Sequence, residues 1–361
     1  MPTTIQSHIP LVAALHHQPL ATPPLWLMRQ AGRYLPEYRV VRSKFPNFIQ
    51  FCLTPNAATE VTIQPVNRFN LSAAIIFSDI LTIPHALGHT VTFTEGHGPH
   101  VEPFTSTNQL TQLIHNLPTI TEKLAPVSQT VHQTRQALPA DKAVIGFSGG
   151  PFTLACYMCD AKPSQGIPNT LTLMQQDSQT FTQLLNILTQ ACTSYLASQI
   201  QAGANAIQLF ESWALACPQS HYTQAVIQPL LTISKALKQQ FPTTPIILFP
   251  RGATQAQLQE ITSYHYQNPQ GTFNSLSLST EANLAWAHQV LQPQVAIQGN
   301  LDPLLMTGPR DEMLKAATQM LNTTAIKPGY IVNLGHGLTP QTNPDNVQAL
   351  SDLVHTWQPP K

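Results

Sequence analysis

The stretch 206-AIQLFESWALACPQSHYTQAVIQPLLTISKALKQQFPTTPIILFPR-251 decides the fold. It opens and closes on short apolar runs, AIQLFES (206–212) and PIILFPR (245–251). Neither run alternates apolar with polar residues. Each therefore reads as a strand buried on both faces, as in a parallel sheet. Between them, 218–240 carries a helical pattern. The unit is strand, helix, strand.

The same alternation extends in both directions. Further apolar runs are LWLMRQ (25–30), AAIIFSDI (73–80), AVIGFSG (143–149), FNSLSLS (273–279), VAIQGNL (295–301) and YIVNLGHG (330–337). Helices are predicted over 55–69, 170–202, 254–264, 281–291 and 308–322. Eight strands alternating with helices predict an α/β fold, a single (β/α)8 TIM-type barrel spanning 1–361. A doubly wound open sheet is the alternative. No linker, charge block or low-complexity tract divides the chain. In a barrel the active-site cleft lies at the C-terminal ends of the strands. Those ends carry Arg29, Asp79, Ser148, Ser212, Arg251, Asn300 with Asp302, and His336, polar groups for which an apolar strand has no use.

Charged residues make up 9% of the chain, against roughly 25% in an average domain. The 17 basic and 17 acidic residues cancel, which argues against nucleic acid or an anionic membrane as partner. No apolar run reaches the roughly 18 residues of a membrane span, and the N-terminus does not resemble a secretory signal. Five cysteines, few and odd in number, read as reduced thiols and predict a cytoplasmic protein. Against this scarcity of charge, four of the eight arginines, Arg29, Arg33, Arg39 and Arg42, fall within one short segment containing a single acid, Glu37. A guanidinium stays charged and forks onto carboxylate or phosphate, so the cluster points to a multiply anionic ligand. One helical turn would put Arg29 and Arg33 on one face; Gly32 permits a loop instead, and Pro36 limits any helix.

Other patterns carry less. Cys156 and Cys159 form a C-x-x-C, but not after a strand in a thioredoxin-like unit, so they read as packing. His85 and His89 are four apart, yet no His-Glu-x-x-His or His-x-Cys occurs, and no metal site is expected. GFSGG lacks the Gly-Lys-Ser/Thr of a phosphate loop.

The segment WLMRQAGRYLPEYR (26–39) resembles the N-terminal signature of the uroporphyrinogen decarboxylases. AAIIFSDIL (73–81), GFSGGPFTLACYM (146–158), QLFES (208–212), QGNLDP (298–303) and NLGHG (333–337) resemble further blocks of that family, in order. The resemblance runs from about residue 11 to about 355. It implies a distorted (β/α)8 barrel, paired as a homodimer, without metal or prosthetic group. The implied reaction converts uroporphyrinogen III to coproporphyrinogen III by removing carbon dioxide from four acetate side chains. The implied substrate carries eight carboxylates on four pyrroles. By motif, Arg29, Gln30, Arg33 and Arg42 would bind it. Asp79 would accept the pyrrole N–H groups, Phe147 and Phe210 would line the site, and Tyr157, Ser212 and His336 would complete the contacts. Asp79, Arg29, Tyr157 and His336 would be catalytic; Arg39 has no assigned role. Family members usually have Leu-Asp where this chain has Leu71-Ser72, and Gly-Leu-Asp-Trp-Thr where it has Ser275-Leu276-Ser277-Leu278-Ser279. The residues after Tyr157 also lack the usual Glu-Gly-Gly character. Two other readings stand beside this one. A corrinoid- or thiol-linked methyltransferase would need zinc ligands, and a non-catalytic tetrapyrrole-binding relative would fit the drifted blocks.

Overall fold

The computed structural model describes residues 7–94, 98–104, 107–267 and 272–360. The strands are β1 (Ala73–Ile75), β2 (Val91–Thr94), β3 (Gly98–Val101), β4 (Ala143–Gly149), β5 (Ala206–Glu211), β6 (Ile246–Pro250), β7 (Ser275–Ser277), β8 (Ala296–Gln298) and β9 (Tyr330–Ile331). Seven of them form one curled parallel sheet in the order β1-β4-β5-β6-β7-β8-β9. β2 and β3 pair antiparallel outside it. Every residue of β4 is buried, as its largely apolar run requires for a strand covered on both faces.

The run LWLMRQ, read as the first strand, is not one. It contributes a single bridge, Leu25 to Val332, before the chain turns. Pro23 and Pro24 just before it have no N–H to give, and the Gln30 N–H donates back to the Leu27 carbonyl at 3.0 Å, closing a turn instead of a ladder. The short segment still touches both edge strands. The Val332 N–H donates to the Pro24 carbonyl at 2.9 Å, and the Ser72 N–H to the Leu25 carbonyl at 2.8 Å.

The helices fall close to their predicted places. Pro55–Phe69 carries proline in its first turn, where the missing N–H costs nothing, and ends on Asn70 at φ 50°. The single helix expected over 170–202 breaks into Pro168–Gln176 and Ser178–Gln201. The Asp177 carboxylate accepts the Thr180 N–H at 3.1 Å and so starts a new helix rather than continuing the old one. Along 219–240 the turn widens over Thr223–Ile227, next to Pro229, which cannot donate to the preceding turn.

Inside the curl, residues level in register share a face. Phe147 is level with Gln208, Gln208 with Ile247, and Phe210 with Phe249. A polar network crosses this interior. The Trp26 indole N–H donates to Gln298 Oε1 at 2.8 Å, and Gln298 Nε2 donates to Gln208 Oε1 at 3.1 Å and Ser277 Oγ at 3.0 Å. Two of the three serines in 275–279 are bonded: Ser277 belongs to the network, and Ser279 Oγ accepts the Gly252 N–H at 3.2 Å. Ser72 likewise stitches the first segment to β1, its Oγ accepting the Leu25 N–H at 3.0 Å.

Candidate active site at the strand ends

Asp79 stands in the loop after β1, partly exposed. Its own loop fixes it. Oδ1 accepts the Leu81 N–H at 2.8 Å, and its carbonyl accepts the Thr82 hydroxyl at 2.8 Å. Gly149 lets this loop lie close, since a Cβ there would stand 3.0 Å from Ile80 Cβ. Burial pushes the carboxyl up from 3.8 to about 6, with the Leu81 N–H and the Arg29 charge pulling the other way.

Arg29 sits on the turn after the first segment, at φ 61°, a left-handed conformation costing on the order of 1–3 kcal/mol for a residue with a Cβ. Gln30 holds the turn in place. Fully buried, it accepts the Leu27 N–H at 3.1 Å and donates to the Ala73 carbonyl at 3.0 Å. The Arg29 stem then runs over Gly337, where a Cβ would lie 2.5 Å from Arg29 Cδ. His336, beside that glycine, has its imidazole pushed down to about 4, first by burial and then by the Arg29 and Arg251 charges. It is a neutral ring at pH 7.

Tyr157 rides on the helix Pro151–Asp160. Burial raises its phenol, with Asp79 adding to the shift and Arg29 opposing it, so at neutral pH it is a protonated donor. Its ring meets Trp213 edge-on, centroids 6.3 Å apart. The Arg29 charge acts on Asp79, Tyr157 and His336, and Asp79 acts on Tyr157.

The remaining expected residues surround them with varied ties. Phe147 and Phe210 form an edge-to-face pair, centroids 5.5 Å apart, and Phe210 meets Phe249 in the same way at 6.0 Å. Ser212 is partly exposed after β5. Arg42 lies on the helix Pro36–Arg42, its guanidinium 5.5 Å from the Phe48 ring centre and bonded to the Phe45 carbonyl. Arg33 is exposed on the turn before that helix. Arg29 and Arg33 share no helical face, because the chain between them turns and helix begins only at Pro36. Arg39 braces the turn, donating to the Arg33 carbonyl at 2.8 Å.

Three polar strand-end residues lie outside this group. Ser148 is buried and donates to the Gly149 carbonyl; Asp302 caps the short helix Pro303–Thr307; Asn300 donates to the Ser279 and Ala282 carbonyls, both at 2.9 Å. All five cysteines are buried and unpaired. Among the described residues, no group of three or more His, Cys, Asp or Glu side chains is arranged to hold a metal ion.

Sequence reasoning missed Glu211. It is fully buried at the end of β5, and its carboxylate caps the helix that carries Tyr157. It accepts the Phe152 and Thr153 N–H groups, both at 2.9 Å, and the Thr153 hydroxyl at 2.6 Å. Thr153 Oγ1 in turn accepts the Trp213 N–H at 3.1 Å, tying the loop after β5 to the same helix. Gly150 makes room, because a Cβ there would stand 2.2 Å from Glu211 Oε1. The available signal was an acid at a strand end in a chain with few acids.

The family model described as Uroporphyrinogen decarboxylase (URO-D) matches residues 7–357. The chain belongs to the uroporphyrinogen decarboxylase family. A uroporphyrinogen decarboxylase of Rhodospirillum rubrum is 41% identical over 345 residues, 96% of each chain. One of Granulibacter bethesdensis is 38% identical over 350 residues, covering 96% of this chain and 99% of that one. Among solved structures, a methyltransferase from Methanosarcina mazei superposes with a TM-score of 0.75 at 17% identity, covering 96% and 97% of the two chains. At that identity the likeness is one of fold. Ser72, Ser277 and Ser279 each make a hydrogen bond described above.

Proposed function

We propose that this chain decarboxylates uroporphyrinogen in tetrapyrrole biosynthesis, removing its four acetate carboxyls to give coproporphyrinogen, with isomer III as substrate. The observation that carries the reading is membership of this family, and it is supported by an Arg29 charge that acts on Asp79, Tyr157 and His336 alike. Pyrrole N–H groups converge on the centre of the macrocycle, and Asp79 offers them one partly buried anion. Arg29, Arg33 and Arg42 bind the outer carboxylates, with Gln30 holding the turn that carries the first two. Phe147 and Phe210 lie against the apolar faces of the pyrroles, and Ser212 donates to a side-chain carboxylate.

The chemistry needs an electron sink. Protonating a ring carbon makes that pyrrole cationic. The bond between acetate methylene and carboxylate then breaks, carbon dioxide leaves, and the electron pair enters the ring. The exocyclic carbon takes a proton to become methyl, and the ring carbon gives one back. Each cycle consumes one proton and releases one carbon dioxide. Ionised Asp79 stabilises the cationic ring through a site of low polarity. Tyr157 and neutral His336 donate hydrogen bonds to the carboxylates near the breaking bond. Arg29 orients the carboxylate that leaves; a guanidinium is too weak an acid to be the main proton source at pH 7.

The scaffold we propose is an eight-stranded barrel, with residues 24–27 as its shortened first stave. The backbone bonds from that segment to β9 and β1 support this. A cytoplasmic homodimer is proposed on family membership; sedimentation at several concentrations tests the dimer. Incubating pure protein with uroporphyrinogen in the dark under reducing conditions, and separating products by carboxylate number, tests the activity. Stepwise loss of four carboxyls is expected, and an unchanged octacarboxylate would sink it.

A further inference from the structure

Arg251 follows β6 directly. Its N–H donates to the Glu211 carbonyl at 3.1 Å, and its side chain is partly exposed. Among the described residues its guanidinium has no hydrogen-bond or ion-pair partner. Among the described residues Arg29, Arg33 and Arg310 share that state, and of these four Arg29 and Arg251 both act on His336. The guanidinium groups of Arg39 and Arg42 donate to backbone carbonyls, and those of Arg68 and Arg135 reach Glu37 and Asn205.

Sheet order places it. Residues 24–27 are bonded to β1 on one side and β9 on the other. From there to β6, three strands intervene either way: β1, β4 and β5, or β9, β8 and β7. In the barrel proposed above, Arg251 stands on the wall opposite the segment that leads into the arginine cluster. The rim on its side is continuous with the site. Gly252, its neighbour, donates to Ser279. Asn300 holds the Ser279–Ala282 loop, and Gly335 packs against Thr280 in that loop. His336 and Gly337 come next, with Arg29 lying on Gly337. His336 feels both Arg29 and Arg251.

We propose that Arg251 is a specificity-determining residue that binds a carboxylate on the side of the macrocycle facing away from Arg29, Arg33 and Arg42. The inference rests on the proposed uroporphyrinogen reading. A ring with carboxylates on all four pyrroles cannot be held level by cations on one wall. A guanidinium on the far wall completes the grip and favours substrates that still carry a side-chain carboxylate there. Its fork suits a carboxylate better than the point charge of lysine would.

The test compares wild type with Arg251→Gln and Arg251→Lys. For Arg251→Gln, KM for uroporphyrinogen is expected to rise about tenfold or more, with kcat changed much less, and Arg251→Lys should recover part of the loss. A second readout is independent of turnover. Proton NMR of the His336 ring should show its pKa rising in Arg251→Gln, because a neighbouring positive charge has gone. Equal KM in wild type and Arg251→Gln, in protein that turns over, would overturn the proposal and leave the decarboxylase reading standing. Wild type without activity would sink that reading instead; equilibrium binding of uroporphyrinogen to wild type and variant would then decide the carboxylate contact. Should Arg251→Gln fold poorly, the KM of Arg251→Lys decides, and an unchanged value there counts against the fork.

Discussion

Asp79 is an acid held where burial works against its charge, with Arg29 only partly compensating. The proposed chemistry needs the anion, so the sign of the pH dependence follows. The carboxyl titrates near 6; above that it is ionised, and each unit below it removes most of the remaining anion. The free-enzyme profile, kcat/KM against pH, is expected to rise through a limb near 6. Asp79→Asn should keep the volume and lose the charge, lowering kcat by at least about a hundredfold; Asp79→Gly should abolish turnover. Near-normal rates in either variant would remove Asp79 from the centre of the mechanism. His336 limits the mechanism at the same scale. With its ring neutral well below pH 7, it donates one N–H and no charge.

Among elements, the loops after the strands are held by close packing that glycine permits, and two neighbouring glycines separate stability from function. A Cβ on Gly335 would stand 2.3 Å from the Thr280 backbone nitrogen, which cannot move without its loop. A Cβ on Gly337 would meet the flexible stem of Arg29. Gly335→Ala is expected to lose about 1–3 kcal/mol in urea unfolding. Gly337→Ala should unfold nearly as wild type does but raise KM, because Arg29 is pushed aside. The reverse pattern would mean that Arg29 has no fixed place. Glu211 makes a similar case for the helix bearing Tyr157. Glu211→Ala leaves two N–H groups and a hydroxyl unpaired and should cost about 2 kcal/mol. Burial raises its carboxyl from 4.5 to about 7. The folded state then holds a proton that the unfolded state has lost, so this group's contribution falls as pH rises from 4.5 to about 7. Glu211→Gln should flatten that part of the stability curve relative to wild type. Parallel curves would show that the carboxyl does not titrate there.

For the whole molecule, the runs were legible because strands buried on both faces are predominantly apolar, with the few polar residues among them bonded to one another, and seven of the eight runs are sheet strands. Asp79 and His336 were legible as polar groups at the ends of such runs. Glu211 was not, because its partners come from the next loop and helix and no spacing rule links them. The first run misled because apolar content alone does not say whether the chain extends or turns; the prolines before it and the buried Gln30 decide that. What remains is whether so short a segment closes the sheet. Its backbone bonds reach both edges, and Ser72 adds a side-chain bond to the Leu25 N–H. If those bonds close a barrel, the amides of Leu25, Trp26, Ser72 and Val332 open only when the molecule unfolds. Hydrogen exchange should then show them as slow as the amides in the middle of β4 and β5. Ser72→Ala removes one bond of the seam and should speed exchange at Leu25 by about tenfold while leaving β5 unchanged. Rapid exchange across the seam in wild type would instead mean an open, curled sheet whose first segment is a loose cover. Arg29, two residues beyond the seam, would then have no rigid base from which to hold a carboxylate over Asp79.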